Sequence, residues 1–141
     1  MDGFRFSMPY KVRVSDINYG GHVANSAQLN IMQDGRIAYF ANLGPYTELD
    51  LGGCGIILPE AHVYFREEMF LHDLLDVGVC CREIKRSSFL LEYRIERGGE
   101  VTAEGSTPVI CFDYQKRKPV RIPAPFRELL AAFENLLSTP F

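Results

Sequence analysis

The stretch of sequence that decides the fold is Asp16-Ile17-Asn18-Tyr19-Gly20-Gly21-His22-Val23-Ala24-Asn25. A strand-like run, residues 10–15, precedes it, and a long helical pattern, residues 26–43, follows it. Glycines directly before a helix leave backbone N–H groups exposed, and such groups stabilise a developing negative charge. Polar side chains that converge on the same helix end indicate a functional site rather than an ordinary turn.

The helical pattern predicts one long helix from Ser26 to Leu43, ended by Gly44-Pro45. Asn25 is the expected N-cap, and Gln28 stands where a capping box places its second partner. Apolar residues occur on more than one face, so we expect the helix to be largely surrounded by the rest of the protein. Gly35 in the middle of a helix is unfavourable, which indicates the close approach of a neighbouring backbone or ligand.

The remainder of the chain is rich in strand patterns. Alternating or apolar runs predict strands over residues 11–14, 56–65, 75–84, 89–96 and 101–115. Pro108 predicts a bulge or an open edge in the last of these. An amphipathic helix is expected from Phe126 to Leu137. One long helix followed by antiparallel strands predicts a single α+β domain, residues 1–141, with a curved sheet around the helix.

The composition excludes several classes of protein. The net charge is −3 and the basic residues are scattered, which argues against binding to nucleic acid. No apolar run approaches the roughly 20 residues that span a bilayer, and the first residues lack the apolar segment of a leader peptide. The four cysteines show no CxxC spacing, so we expect buried, reduced thiols, no metal site and a cytoplasmic protein.

Several motifs, in the same order, resemble those of hotdog-fold acyl-CoA thioesterases of the 4-hydroxybenzoyl-CoA thioesterase type. Residues 12–16 are similar to the family's first strand and its aspartate, residues 21–25 to its G-H-V-N-N turn, and residues 33–36 to its E-E-A-R segment. Residues 86–93 resemble an R-S-S-F-x-x-E-Y strand, and residues 100–105 an L-V-A-E-G strand. The resemblance implies a hotdog fold and hydrolysis of an acyl-CoA. It also implies a homodimer, or a homotetramer made of dimers, with the acyl site between subunits. Coenzyme A is then part of the substrate, and no separate cofactor is expected.

One position departs from the family pattern. Many members carry D-x-D before the glycines, and the second aspartate is their nucleophile or general base, whereas this chain has Asn18. Asparagine does not accept a proton at neutral pH, so it cannot inherit that role. Three interpretations remain: Asp34 supplies the carboxylate, Asp16 supplies it, or the protein binds acyl-CoA without hydrolysing it. Asn18 would then orient water or the thioester oxygen, and His22 is a further catalytic candidate.

The candidate substrate-binding residues fall into three groups. Glycines and N–H groups at the start of the helix would hold the thioester oxygen, a strand aromatic would line the acyl pocket, and a basic turn would contact the phosphates of CoA. The first group is Gly20, Gly21, Val23 and Asn25, the strand aromatic is Tyr64, and the basic turn is Arg86, Ser87 and Ser88.

Simpler roles remain open for the same residues. Asp16 is equally suited to bonding backbone N–H groups within its turn, and Asn25 to capping the helix. An Asp16–His22 pair would suit another hotdog enzyme, such as an enoyl-thioester hydratase.

Overall fold

The structure, a computed structural model, describes residues 1–136. In this range seven strands form one antiparallel sheet, and two helices pack against it. The elements are β1 (Phe6–Lys11), α1 (Asn25–Leu43), β2 (Gly55–Ile57), β3 (His62–Phe65), β4 (Leu74–Ile84), β5 (Ser88–Arg97), β6 (Glu100–Asp113), β7 (Lys118–Pro119) and α2 (Ala124–Glu134). The predicted α+β architecture is confirmed. The end of the predicted closing helix, Leu137, lies outside the described residues.

The sheet runs in the order β1-β4-β5-β6, and both β2 and β3 pair with the far side of β6. β3 covers residues 103–106 of β6, and β2 covers residues 110–112. The predicted strand over residues 56–65 is therefore two strands, interrupted around Pro59, which has no N–H to donate to a ladder. Pro108 lies in the gap between β2 and β3, where neither of these strands pairs with β6. This position suits proline, because proline has no N–H to donate to a neighbouring strand.

The prediction of a first strand over residues 11–14 is wrong. β1 ends at Lys11, and the chain then makes a short 3₁₀ turn over Val14–Asp16. The turn forms because the carboxylate of Asp16 accepts the backbone N–H of Arg13 at 2.9 Å, which folds the chain back on itself. Val14 is 73% exposed as a result, so the alternation at residues 11–14 is not that of a paired strand.

Helix α1 begins one residue earlier than predicted. Ala24 is its N-cap and gives no side-chain cap bond, so the expected cap at Asn25 and capping box with Gln28 are wrong. One side of α1 is buried against the sheet, and Gly35 lies there against Val77 and Val79 of β4. The other side is open to solvent. The helix is thus covered on one side rather than surrounded.

The core lies between the sheet, α1 and α2. Phe40 of α1, Phe89 of β5 and Phe126 of α2 are fully buried, and their ring centroids lie 5.7–6.2 Å apart. The carboxylate of Glu134 holds the end of α2 in place by accepting hydrogen bonds from the Tyr39 hydroxyl and the Cys81 backbone N–H. These contacts fix the carboxyl end of α1, and its amino end meets the loop that carries the predicted site.

Candidate active site

Asp16 is a structural residue of the loop. Its side chain is buried, and one carboxylate oxygen accepts the Tyr10 hydroxyl at 2.7 Å and the Arg13 N–H at 2.9 Å. Burial, together with this hydrogen bond to Asp16, raises the pKa of Tyr10 to about 12. The carboxylate faces Tyr10 rather than the start of the helix, so the turn-forming role, and not the catalytic one, fits the geometry.

Asn18 closes the glycine loop. Its Oδ1 accepts the Gly20 N–H at 2.9 Å and, more weakly, the His22 N–H at 3.4 Å. Its backbone carbonyl accepts the Gly21 N–H at 3.1 Å, and its own N–H donates to the His22 carbonyl at 2.9 Å. Gly21 has a φ of +85°, a conformation that suits glycine. The side-chain oxygen of Asn18 is therefore engaged in holding the loop.

The exposed N–H groups lie further along the chain than the sequence predicted. The N–H groups of Gly20, Gly21 and His22 are bonded within the loop, as described above. The next two are bonded as well: the Val23 N–H donates to the Met69 carbonyl at 2.8 Å, and the Ala24 N–H donates to the Asp16 carbonyl at 2.9 Å. The expectation that residues 20–23 present unpaired N–H groups is therefore wrong. The first helical bond is donated by Gln28 to the Ala24 carbonyl, at 3.3 Å.

Three N–H groups at the helix end thus have no intrahelical acceptor, and the N-cap side chain supplies none. They belong to Asn25, Ser26 and Ala27. All three point out of the positive end of the α1 dipole. This first turn of the helix is therefore suited to hold an oxyanion.

A crevice of about 260 Å³ opens beside this turn. One wall comes from the loop and the start of α1, and the other from the segment that follows β3. Its lining residues are His22, Val23, Asn25, Gln28, Phe65, Arg66, Glu67 and Glu68. The structure thus brings together three residues predicted from the sequence, His22, Val23 and Asn25. It adds Gln28 and two exposed carboxylates, Glu67 and Glu68.

Sequence reasoning missed the opposite wall because nothing local marks it. Glu67 and Glu68 stand some forty residues after the glycine loop, in a polar turn that carries no recognisable motif. They reach the crevice because Val23 donates to the carbonyl of Met69, which ties the two segments together. The one available signal was a pair of carboxylates that begins two residues after a strand aromatic, Phe65.

His22 faces the crevice, and its ring Nδ1 lies 3.4 Å from the Val23 carbonyl oxygen. Since the Asp16 carboxylate is bonded to Tyr10 and Arg13, no Asp16–His22 pair forms among the residues described. This geometry gives no support to the hydratase alternative.

Asp34 does not reach the crevice of its own chain. It lies on the exposed side of α1, nine residues after Asn25, or roughly 13 Å along the helix axis. The neighbouring Arg36 is buried on the other side, where it pairs with Glu48 and donates to the Tyr93 hydroxyl at 3.1 Å. Asp34 as the catalytic carboxylate therefore remains a prediction that requires a second chain.

The other predicted substrate contacts lie apart from the crevice. Tyr64 points to the outer face of the sheet, with Arg66 stacked on its ring, while its strand neighbour Phe65 lines the crevice. The turn of Arg86, Ser87 and Ser88 packs near the carboxyl end of α1, since the adjacent Phe89 contacts Phe40 there. Within one chain, this basic turn therefore does not lie next to the amino end of α1.

Residues 12–132 match the family model of the thioesterase-like superfamily. The protein belongs to this superfamily. Among solved structures it is similar to a thioesterase from Thermus thermophilus crystallised with coenzyme A and zinc, at 28% identity over 100% of both chains and a TM-score of 0.85. A 1,4-dihydroxy-2-naphthoyl-CoA thioesterase from Synechocystis shares the fold, with 18% identity over 89% of this chain and 95% of that one and a TM-score of 0.80.

These similarities confirm the predicted thioesterase family and the hotdog fold, and with them the expectation of an enzyme that hydrolyses thioesters. A search of the curated proteins finds no match to this thioesterase-like chain. Within residues 1–136, no helix has the length and apolar character needed to cross a membrane. The same residues contain no cluster of three or more His, Cys, Asp or Glu side chains arranged to hold a metal ion.

Proposed function

We propose that the protein hydrolyses an acyl-CoA thioester to a free carboxylic acid and CoA. The observation that carries this proposal is the crevice at the amino end of α1, which is lined by Asn25, whose N–H has no intrahelical acceptor, and by two carboxylates. Membership of the thioesterase-like superfamily supports the reaction class. CoA as the thiol is supported by the similar Thermus thermophilus thioesterase, which was crystallised with coenzyme A.

In this proposal the thioester carbonyl oxygen binds at the first turn of α1. The N–H groups of Asn25, Ser26 and Ala27 and the helix dipole stabilise the negative charge that develops on this oxygen when the carbonyl carbon is attacked. The Asn18-closed loop and the Val23–Met69 bond hold the turn in place before substrate arrives. Such preorganisation is what makes N–H groups effective in catalysis.

The attacking group is water activated by a carboxylate. In the single chain, Glu67 and Glu68 are the carboxylates that line the crevice, and we propose that this pair supplies the general base. Asp34, the residue favoured by the sequence, would serve instead if a second chain placed its α1 surface over the crevice. Asp16 is bonded inside the loop and is not suited to the role.

The reaction is tested with purified protein and a panel of aliphatic and aromatic acyl-CoA thioesters, with the released thiol measured by a colorimetric reagent. We expect turnover above the uncatalysed rate on at least one thioester. Binding of acyl-CoA without thiol release would show the crevice to be a binding module instead. Absence of both turnover and binding would overturn the proposal.

The general base is tested by isosteric substitution. The Glu67→Gln/Glu68→Gln double variant should lose about 100-fold or more in kcat, because general-base catalysis is typically worth roughly 10²- to 10⁴-fold. Asp34→Asn tests the competing assignment, since it removes the carboxylate favoured by the sequence without changing the shape of the side chain. The opposite result, with Asp34→Asn inactive and the double variant active, would assign the base to Asp34 across a subunit interface.

An open strand side and exposed apolar side chains next to the crevice support a second copy of the chain. β3 pairs with β6 on one side, and in residues 1–136 no strand pairs with its other side. Tyr64 and Phe65 of β3 are 57% and 48% exposed, and Leu29 and Ile37 on the open side of α1 are 44% and 46% exposed. We propose a homodimer, formed through β3, that covers the adjacent crevice.

A further inference from the structure

The crevice wall that carries Glu67 and Glu68 belongs to no helix or strand, so its shape depends on individual bonds. β3 ends at Phe65, and the next strand begins at Leu74. A catalytic carboxylate on this wall has to be held still, because a displacement of about 1 Å can cost roughly 100-fold in rate. The bonds that fix the segment therefore decide whether it can serve in an active site.

Main-chain bonds fix the two ends of the wall. At the start, the N–H groups of Arg66 and Glu67 both donate to the Thr102 carbonyl, at 2.9 and 3.1 Å. At the end, the Met69 carbonyl accepts the bond from the glycine loop described above. Between these two anchors, the main chain of Glu68 is held by a side chain instead.

Arg97, the last residue of β5, holds the middle of the wall. Its Nη1 donates to the Glu68 carbonyl at 2.8 Å and to the Asp73 carboxylate at 2.9 Å, and its Nη2 donates to Glu100 at 3.1 Å. The same Asp73 oxygen accepts the Phe70 N–H at 2.8 Å and so closes the turn that follows the wall. One guanidinium thus joins the β5–β6 hairpin to the backbone of Glu68 and to the next turn.

The geometry of this contact suits arginine in particular. A planar guanidinium presents its donors in fixed directions, so that bonds to several acceptors hold those acceptors in one arrangement. Half-exposed ion pairs contribute little to stability, and 29% of the Arg97 side chain is exposed. The contact is therefore better suited to fixing the position of Glu68 than to stabilising the fold.

We propose that Arg97 is a positioning residue for the hydrolysis, which holds the main chain of Glu68 so that the carboxylates of the wall stay directed at the first turn of α1. This inference rests on the proposed function and on the assignment of the general base to Glu67 and Glu68. Arg97 is not one of the residues that line the crevice, so it acts through them and not on the substrate. Its effect falls on the rate of the chemical step rather than on substrate binding.

The principal test compares Arg97→Met with Arg82→Met. Arg82 of β4 makes the same kinds of bond outside the crevice, since it pairs with Glu92 at 3.0 Å and donates to the Gly3 carbonyl at 3.2 Å. We expect Arg97→Met to lower kcat about 10-fold or more with KM nearly unchanged, because the carboxylates lose their fixed position. Arg82→Met should leave kcat and KM unchanged, and both variants should show only a small decrease in Tm.

A double-mutant cycle tests whether Arg97 acts through the carboxylates. In the Glu67→Gln/Glu68→Gln background, Arg97→Met should lower kcat about 2-fold or less, because the groups that it positions are already gone. A purely structural role would give the same factor in both backgrounds. Arg97→Lys keeps the positive charge without the planar fork, so it should lower kcat by a smaller factor than Arg97→Met. If Arg97→Met does not fold, the cycle is measured with Arg97→Lys.

Several results would overturn the assignment. A rise in KM at unchanged kcat in Arg97→Met would place Arg97 in substrate binding. Equal factors in both backgrounds, a comparable loss in Arg82→Met, or wild-type kcat in the Arg97 variants would refute the positioning role alone. Full activity of the Glu67→Gln/Glu68→Gln variant would remove the base that Arg97 is inferred to position. An inactive wild type would refute the proposed hydrolysis and this inference together.

Discussion

At the scale of single residues, the glycine loop shows how much of a site a sequence reveals. The motif predicted that polar groups gather at the start of α1, and His22, Val23 and Asn25 do line the crevice. It did not reveal that the loop N–H groups are bonded within the chain, because those acceptors come partly from distant residues such as Met69. At the position where the resembled pattern has aspartate, the side-chain oxygen of Asn18 serves as a backbone acceptor, a bond that an aspartate would also make.

Tyr10 gives a prediction about alkaline pH. Burial and the hydrogen bond to Asp16 raise the pKa of Tyr10 in the folded protein from 10.0 to about 12. Because the folded pKa is the higher one, the stabilisation is complete below pH 10 and is lost as the pH rises towards 12. The free energy of unfolding, measured by urea denaturation, should therefore fall over this interval.

Tyr10→Phe is the control for this effect. Burial also raises the pKa values of Tyr39 and Tyr93, so part of the alkaline loss is common to both proteins. Tyr10→Phe should be less stable than the wild type at neutral pH, since the Asp16 carboxylate loses one donor. The difference in free energy of unfolding between the two should shrink as Tyr10 ionises. A constant difference up to pH 12 would contradict the shift.

At the scale of the elements, the hydrophobic periodicity correctly predicted the helices and strands whose two faces differ in hydrophobicity along their length. β4, β5 and α1 fall within a residue or two of their predicted bounds, because each has one face packed against the core. The misplaced β1 and the divided strand over residues 56–65 have other causes. The first follows from a side-chain bond made by Asp16, and the second from a proline that interrupts the ladder. Neither effect appears in a hydrophobic pattern.

Gly35 gives a prediction about the contact between α1 and β4. A Cβ at this position would lie 2.9 Å from Cγ1 of Val77 and 3.0 Å from Cγ2 of Val79, which is closer than carbon atoms pack. We therefore expect Gly35→Ala to lower the free energy of unfolding by about 1–3 kcal/mol. This outweighs the gain in helix propensity of roughly 1 kcal/mol that alanine brings.

The cause is tested with a double-mutant cycle. Val77→Ala leaves space beside Gly35, so Gly35→Ala should cost less in that background than in the wild type. Urea denaturation of the four proteins gives the coupling free energy. If Gly35→Ala costs the same in both backgrounds, or stabilises the wild type, the helix approaches β4 less closely than the structure shows.

At the scale of the whole molecule, the incomplete feature is the side of β3 with which no strand of residues 1–136 pairs. The bond from the Arg66 N–H to the Thr102 carbonyl fixes the alternation along β3. Residues in register with Arg66, namely His62 and Tyr64, direct their N–H groups to β6. The N–H groups of Val63 and Phe65 then point to the open side, where a second β3 would pair. Sequence patterns gave no sign of this edge, because it depends on which strands become neighbours.

The proposed homodimer predicts that Val63→Pro separates the subunits. Proline removes one N–H that points away from β6 and leaves the bonds from β3 to β6 intact. The substitution should therefore weaken pairing with the second chain without destabilising the fold of each chain. Sedimentation velocity should show a dimer for the wild type and for the matched Val63→Thr variant, and a monomer for Val63→Pro. Because Phe65 extends β3 into the crevice, the monomer should also lose specific activity, most clearly on dilution. A monomeric wild type with full activity would show that one chain encloses the site, and Glu67 and Glu68 would then be the carboxylates within its reach.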